Sequence, residues 1–236
     1  MNLVRHSSVT PPFYPGRPVN GGPLPKALPK AGDWTLEGKY NGWRAWVHNP
    51  TSAMFNRKLE PLSIRHEFEP ALEQLRALPW EWSDVEALER RHKIGRGSLI
   101  LLDYLPSDPL EIYTARKNFI HLCAAMVGGI EVHKELHRPI ENNRVYLPMT
   151  WRCGPCGRPP ARPSGEVSNA SFDSRHSSLQ LWDILQQCNA ALGGNGRCGS
   201  HFWEGVVAKR NDSLYPRQRR NAELDFPFWM KHRWAF

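Results

Sequence analysis

The order of hydrophobic and polar positions predicts a domain whose regular structure begins near Trp34. Loose alternation over 35–49 is broken at Tyr40-Asn41-Gly42, and Asn-Gly is a strong turn signal. Lys39 therefore closes one strand and Trp43 opens the next. Over 61–78, Phe68, Leu72, Leu75 and Leu78 recur at helical spacing, with Pro70 early enough for a first turn and Pro79 beyond the end. Segments 83–89 and 98–105 read as strands, and Leu99-Ile100-Leu101-Leu102 suits a strand buried on both faces. A second helix is predicted over 111–126, burying Ile112, Ala115, Phe119, Leu122 and Met126 and ending at Gly128-Gly129. A third helix spans 179–192, and strands follow over 202–209 and 226–234. Such irregular spacing favours an α+β fold, with antiparallel or mixed sheets flanked by helices, over regular βαβ winding.

Seven prolines between positions 11 and 29 make residues 1–33 unsuited to helix or central strand, so an extended surface wrap is expected there. The main domain is then 34–236, with a Pro/Gly/Arg/Ser-rich loop or small insertion at 152–171. A hydrophobic content of 40%, with 10 Trp, 9 Phe and 6 Tyr among 236 residues, excludes an intrinsically disordered chain. It also suffices for one sizeable core without disulfides. Trp80, Trp82, Trp203 and Trp229 are expected in that core, with Cys123 and Cys188 on buried helix faces. The longest apolar stretch, 119–130, contains His121 and falls short of the roughly 20 residues of a membrane helix. Residues 1–10 do not read as a secretory signal, so a monomeric cytoplasmic protein without membrane contact is expected.

Thirty-one Lys and Arg against 23 Asp and Glu give a formal charge of +8, which favours a polyanionic partner. Arg217, Arg219 and Arg220 are the best local candidates for backbone contacts with a nucleic acid. No Gly-rich phosphate loop follows a strand, so side chains must hold any nucleotide phosphates. Four charged clusters sit at strand ends: 37–44, 84–86, 204–209 and 229–233. Strict alternation puts Glu204, Val206 and Ala208 on one face and Gly205, Val207 and Lys209 on the other, unless the strand twists or bulges. Lys231 and Arg233 share a face while His232 points away, and two adjacent cations repel unless an anion such as phosphate lies between them.

In this order the clusters resemble the motifs of the covalent nucleotidyltransferase superfamily, which includes ATP-dependent DNA and RNA ligases and mRNA capping enzymes. Lys39-Tyr40-Asn41-Gly42-Trp43-Arg44 is similar to Lys-x-Asp-Gly-x-Arg, with Asn41 in place of Asp; the amide keeps hydrogen-bonding capacity and loses the charge. Phe55-Asn56-Arg57, Asp84-Val85-Glu86, Leu101-Leu102-Asp103-Tyr104, Glu204 to Lys209 and Trp229 to Arg233 resemble the motifs that follow. Leu102 stands where the family has an aromatic, and Tyr104 is the alternative stacking residue.

The resemblance implies an ATP-grasp-like nucleotidyltransferase domain of ligases. It implies an ATP-dependent polynucleotide ligase that seals 5′-phosphate and 3′-hydroxyl ends through a lysyl-AMP intermediate on Lys39. Lys209, Lys231 and Arg233 would neutralise phosphoryl charge, and Glu204 would hold Mg²⁺ or Mn²⁺. Glu37 would lie beside adenine, Glu86 and Arg44 near the ribose or the 5′-phosphate, and Arg57 on a second phosphate. Nicked or broken nucleic acid is the implied substrate, DNA before RNA, with a partner protein supplying the OB-fold domain that the resemblance does not extend to. A GTP-dependent capping-type guanylyltransferase and a non-catalytic nucleic-acid binding module are the alternatives. Separately, Cys153, Cys156, Cys198 and His201 offer a ligand set for a structural Zn²⁺.

Overall fold

Two mixed sheets face each other across a cleft in the computed structural model, which describes residues 9–22, 33–90, 92–153, 178–192, 201–219 and 226–234. The described elements begin with β1 (Pro18–Asn20), β2 (Trp34–Tyr40), β3 (Trp43–His48) and β4 (Ala53–Asn56). A 3-10 turn (Ser63–Phe68) leads into α1 (Glu69–Arg76), followed by β5 (Trp82–Leu88), β6 (Ser98–Tyr104) and α2 (Tyr113–Val127). The short strands β7 (Glu131–Val132), β8 (Val145–Leu147) and β9 (Thr150–Cys153) precede α3 (Ser178–Leu192), β10 (Trp203–Arg210) and β11 (Phe226–Arg233). One sheet runs β1-β11-β10-β2-β9 and the other β4-β3-β5-β6-β8-β7.

Each sheet packs its outer face on helix, and the two meet through aromatics. Leu181, Leu185 and Cys188 of α3 bury against Leu36, Val206, Ala208 and Met230 of the first sheet. Helices α1 and α2 cover Val85, Leu99 and Leu101 of the second. Trp46, Phe55, Trp82, Tyr215 and Trp229 form a third buried cluster that joins strands of both sheets.

Asn41-Gly42 does not close a hairpin, because β2 and β3 belong to different sheets. The turn carries the chain from one sheet to the other. Asn41 is fixed there by its N–H to the Phe202 carbonyl (3.0 Å) and by its side-chain amide to the His201 carbonyl (2.9 Å). An aspartate has no proton to give to that carbonyl, which accounts for the amide at this position. Gly42 must lack a side chain, since a Cβ would lie 2.8 Å from the Ala87 carbonyl oxygen.

The predicted face of α2 is wrong. Phe119, Leu122 and Met126 are exposed, the last by 77%, while Tyr113, Arg116, Lys117, Ile120, Cys123 and Ala124 are buried. Buried ion pairs set the rotation: Arg116 grips Asp103 through Nε (3.0 Å) and Nη2 (3.1 Å), and Lys117 reaches Glu37 at 2.6 Å. A charge taken out of water must meet its partner, and this requirement outweighs the transfer of a few exposed apolar side chains. Regular structure also starts before Trp34, because β1 pairs in parallel with β11 as an edge strand.

Two bulges redirect side chains. The β10·β2 register shifts between Trp203 and Gly205, so Glu204 leaves the Val206 and Ala208 face and joins Val207 and Lys209. Gly205 permits this with φ 142°, where an added Cβ would collide with the His232 carbonyl oxygen. The β5·β6 register shifts between Asp84 and Val85, which leaves Leu102 without a partner and reverses the alternation beyond it. Gly205→Ala is expected to lower stability by about 2–3 kcal/mol, because it combines a strained φ with a main-chain clash. Equilibrium urea unfolding should show a lower midpoint at unchanged slope.

Candidate active site

A cleft of about 970 Å³ lies between the sheets. β2 presents Glu37 and Lys39, two apart and hence on one face. β10 adds Glu204, Val207 and Lys209, and β11 adds Trp229, Lys231 and Arg233. The opposite wall is Gly42, Trp43 and Arg44 at the start of β3, Glu86 of β5 and Leu102 of β6. The turn after β4 brings Asn56, Arg57, Lys58 and Glu60, and residues of the N-terminal segment close one side. Of the residues expected from the motifs, all but Tyr104 line this cleft.

Tyr104 stacks on Trp80 at 4.6 Å and donates its hydroxyl to Glu111 (2.8 Å) in the core beneath α2. The bulge at Leu102 sends it there, so the proposed stacking role of Tyr104 is corrected. Leu102 is the residue that β6 gives to the cleft.

Charges in the cleft divide into two groups. At one end the Lys39 amine ion-pairs with Glu204, and Arg233 Nη2 lies 3.2 Å from the same carboxylate oxygen. The opposed registers Lys39↔Gly205 and Gly205↔Arg233 place these groups side by side. Glu86 accepts the Gly42 N–H at 3.0 Å. Burial pushes its carboxyl up to about 7, with Lys39 and Arg44 opposing the shift and Glu204 adding to it. Arg44 makes a two-pronged pair with the fully buried Asp84, Nε to Oδ1 at 2.9 Å and Nη2 to Oδ2 at 2.5 Å, and Tyr215 also donates to that carboxylate (2.7 Å).

The second group is buried. Glu37 receives Lys117 (2.6 Å), Lys209 (3.0 Å) and the Tyr113 hydroxyl (2.6 Å). Burial would raise this carboxyl, but the two ammonium groups hold it at about 2. Lys209 also lies over the Trp229 ring at 4.6 Å. The structure thus commits Lys209 to Glu37, while Lys39 meets Glu204. Tyr113, Arg116 and Lys117 are absent from the motif reading. Lysine and arginine are seldom buried, so inside a helix they read as solvent-facing, and their partners on β2 and β6 are distant in sequence.

Glu204 and Glu86 converge on Lys39, and paired hard oxygen donors suit Mg²⁺ or Mn²⁺. Among the described residues no group of three or more His, Cys, Asp or Glu is gathered for a metal. Cys156 and Cys198 lie outside the described residues, as does the side chain of Cys153, and His201 is exposed just ahead of β10. Arg217 donates to the Pro106 carbonyl and lies over Phe13 at 5.3 Å, while Arg220 falls outside the described residues.

The raised carboxyl of Glu86 has a sign in stability. Its contribution is complete below the unfolded value of 4.5 and is lost as pH rises through about 7. Glu86→Gln should therefore remove a decline in stability between those values, read as the difference between wild-type and variant denaturation midpoints across pH 4–8.

No family model and no curated protein matches this chain. Among solved structures it is similar to a mycobacterial DNA ligase D complexed with ATP and MES, at 17% identity and a TM-score of 0.53, over 94% of this chain and 60% of that one. It is equally similar to the ligase domain of M. tuberculosis ligase D, at 17% identity and a TM-score of 0.53, over 94% and 59%. The chain thus spans about 60% of the length of these structures, and it has the fold of a ligase nucleotidyltransferase domain.

Proposed function

We propose that this domain is an ATP-dependent nucleotidyltransferase of the DNA-ligase type that works through a covalent nucleotide on Lys39. One observation carries the reading: Lys39, Glu204 and Arg233 meet in a cleft shared with Lys231, Arg44 and Glu86, on the fold found in DNA ligase D. A lone lysine at a strand end is commonly a solvated side chain, but this one is ringed by phosphate-binding chemistry.

In the proposed reaction the deprotonated Lys39 nitrogen attacks the α-phosphorus of ATP. A P–N bond forms, the bond to the bridging oxygen breaks, and pyrophosphate leaves with the electron pair. Before attack, Glu204 Oε2 holds the ammonium in place, and the ammonium gives up its proton to solvent water as ATP enters. Lys231 and Arg233 offset charge growing on the phosphoryl oxygens. Glu204, with Glu86 beside it, would hold a divalent cation that supplies further neutralisation there. The 5′-phosphate oxygen of a broken strand then displaces Lys39 from phosphorus. Attack by a 3′-hydroxyl on the resulting pyrophosphate linkage releases AMP and joins the strand. Leu102 and Val207 give the base aliphatic walls in place of an aromatic stack. DNA is the favoured polynucleotide because the similar folds are DNA ligases.

Incubation with α-³²P-labelled ATP or GTP and Mg²⁺, followed by peptide mass spectrometry, tests the reading. Label from ATP on Lys39, its loss in Lys39→Ala, and its release by a nicked duplex are expected. Label from GTP alone points to a capping-type enzyme, and no label on any lysine rejects a covalent mechanism.

A further inference from the structure

The N-terminal segment is built into the cleft. Its backbone is tied down by the Tyr14 N–H to the Gln218 carbonyl (2.8 Å), the Phe226 N–H to the Arg17 carbonyl (2.8 Å) and the Gly21 N–H to the Lys231 carbonyl (2.9 Å). His232 donates through Nδ1 to the Gly22 carbonyl at 2.6 Å. Gly16 presses on Pro216 and Trp229, and Gly21 on His232, so closely that a Cβ at either position would collide with those rings. The Gly16 carbonyl accepts from Arg44 Nη1, which links the segment to the opposite sheet. A surface wrap needs none of these contacts.

This strap delivers a guanidinium to the cleft. Arg17 is exposed and lines the cavity beside Gly16. The register Ala45↔Asn56 brings Arg57 level with Arg44, so Arg17, Arg44 and Arg57 gather around one corner, with Lys58 next in the chain. Asp84 balances Arg44. Among the described residues that line the cleft, eight are Lys or Arg and four are Glu, Glu60 standing in the same turn as Arg57 and Lys58. Like charges gathered at one corner of a cleft make a site for an anion.

That anion is separate from the one at Lys39. Arg17 sits against Phe226, where β11 begins, whereas Lys231 and Arg233 lie near its end beside Val207 and Gly205. The register shift between Pro18 and Val19 sets Asn20 beside Lys231, so Arg17 lies three residues, about 10 Å of extended chain, from that end of the cleft, farther than one phosphate spans.

Resting on the polynucleotide reading above, we infer that Arg17 is a nucleic-acid contact, binding a backbone phosphate of the DNA strand at the corner it shares with Arg57 and Lys58. The full chain can be titrated with a fluorescent nicked DNA duplex, without ATP, over a series of salt concentrations. Arg17→Ala should bind about tenfold more weakly at low salt, as expected for one lost charge-assisted contact. The slope of log K against log[salt] should fall by about 0.9. Arg17→Lys should recover the slope because the charge is restored. Equal affinity and slope for wild type and Arg17→Ala would overturn the inference, as would equal losses in both variants. Failure of the wild type to take label from ATP would reject the covalent reading without touching this result, since the titration needs no chemistry.

Discussion

The clamp on Glu37 ties the domain together. Its carboxylate belongs to β2 of the first sheet, Lys209 to β10 of the same sheet, and Tyr113 and Lys117 to α2, which packs on the second. Lys117 also donates to the Leu102 carbonyl of β6 at 2.8 Å, so one ammonium touches both sheets. Breaking a buried pair by removing one partner costs about 3–5 kcal/mol, whereas the intact pair adds little net stability. The knot therefore specifies more than it stabilises: it sets the rotation of α2 and the position of Leu102 and Lys209 in the cleft. The apolar outer face of α2 follows from it, because a helix held by its charges cannot also turn its hydrophobic stripe inward.

With Glu37 satisfied from below, the remaining charges act on whatever enters the cleft. Glu204 serves two cations, Lys39 and Arg233, and both approach the same oxygen. In the proposed reaction an incoming phosphate would compete with the carboxylate for those cations, and a divalent cation would compete with them for the carboxylate. Either exchange would free the Lys39 nitrogen from its ion pair. The half-buried Glu86 lies close enough to feel Lys39, Arg44 and Glu204, so a cation drawn to this end would also relieve the repulsion between the two carboxylates.

The two strand pairs that line the cleft are legible in the sequence, since Lys39, Glu204 and Lys231 sit on strands announced by alternation and bounded by turns. Period-two reasoning places Lys231, Arg233 and the inward His232 correctly. It fails where a bulge shifts the count: Glu204 joins the cleft and Tyr104 leaves it, each because one residue has no partner across the ladder. Gly205 is a local sign of the first bulge, and nothing near Leu102 signals the second. The face of α2 was illegible for another reason, since apolar spacing is a reliable guide only where no buried charge competes for the interior. Strands β7, β8 and β9 span two to four residues each, too few for alternation to register.

The sheet-switching turn at Asn41-Gly42 shows how these constraints combine. Asn-Gly is read as a hairpin because its geometry matches the twist of paired strands, yet here the flanking strands part company. The amide of Asn41 is held by the approach to β10, and His92 Nε2 donates to its carbonyl at 2.8 Å from the other sheet's side. Gly42 meanwhile brings its N–H within 3.0 Å of Glu86. Asn41 is thus anchored to both walls and Gly42 to the second, two residues beyond Lys39 and two before Arg44 respectively. The width of the cleft beside Lys39 is set by this turn, so the tolerance for a longer side chain at 42 or an anionic one at 41 is governed by the spacing of two sheets rather than by the local conformation of a loop.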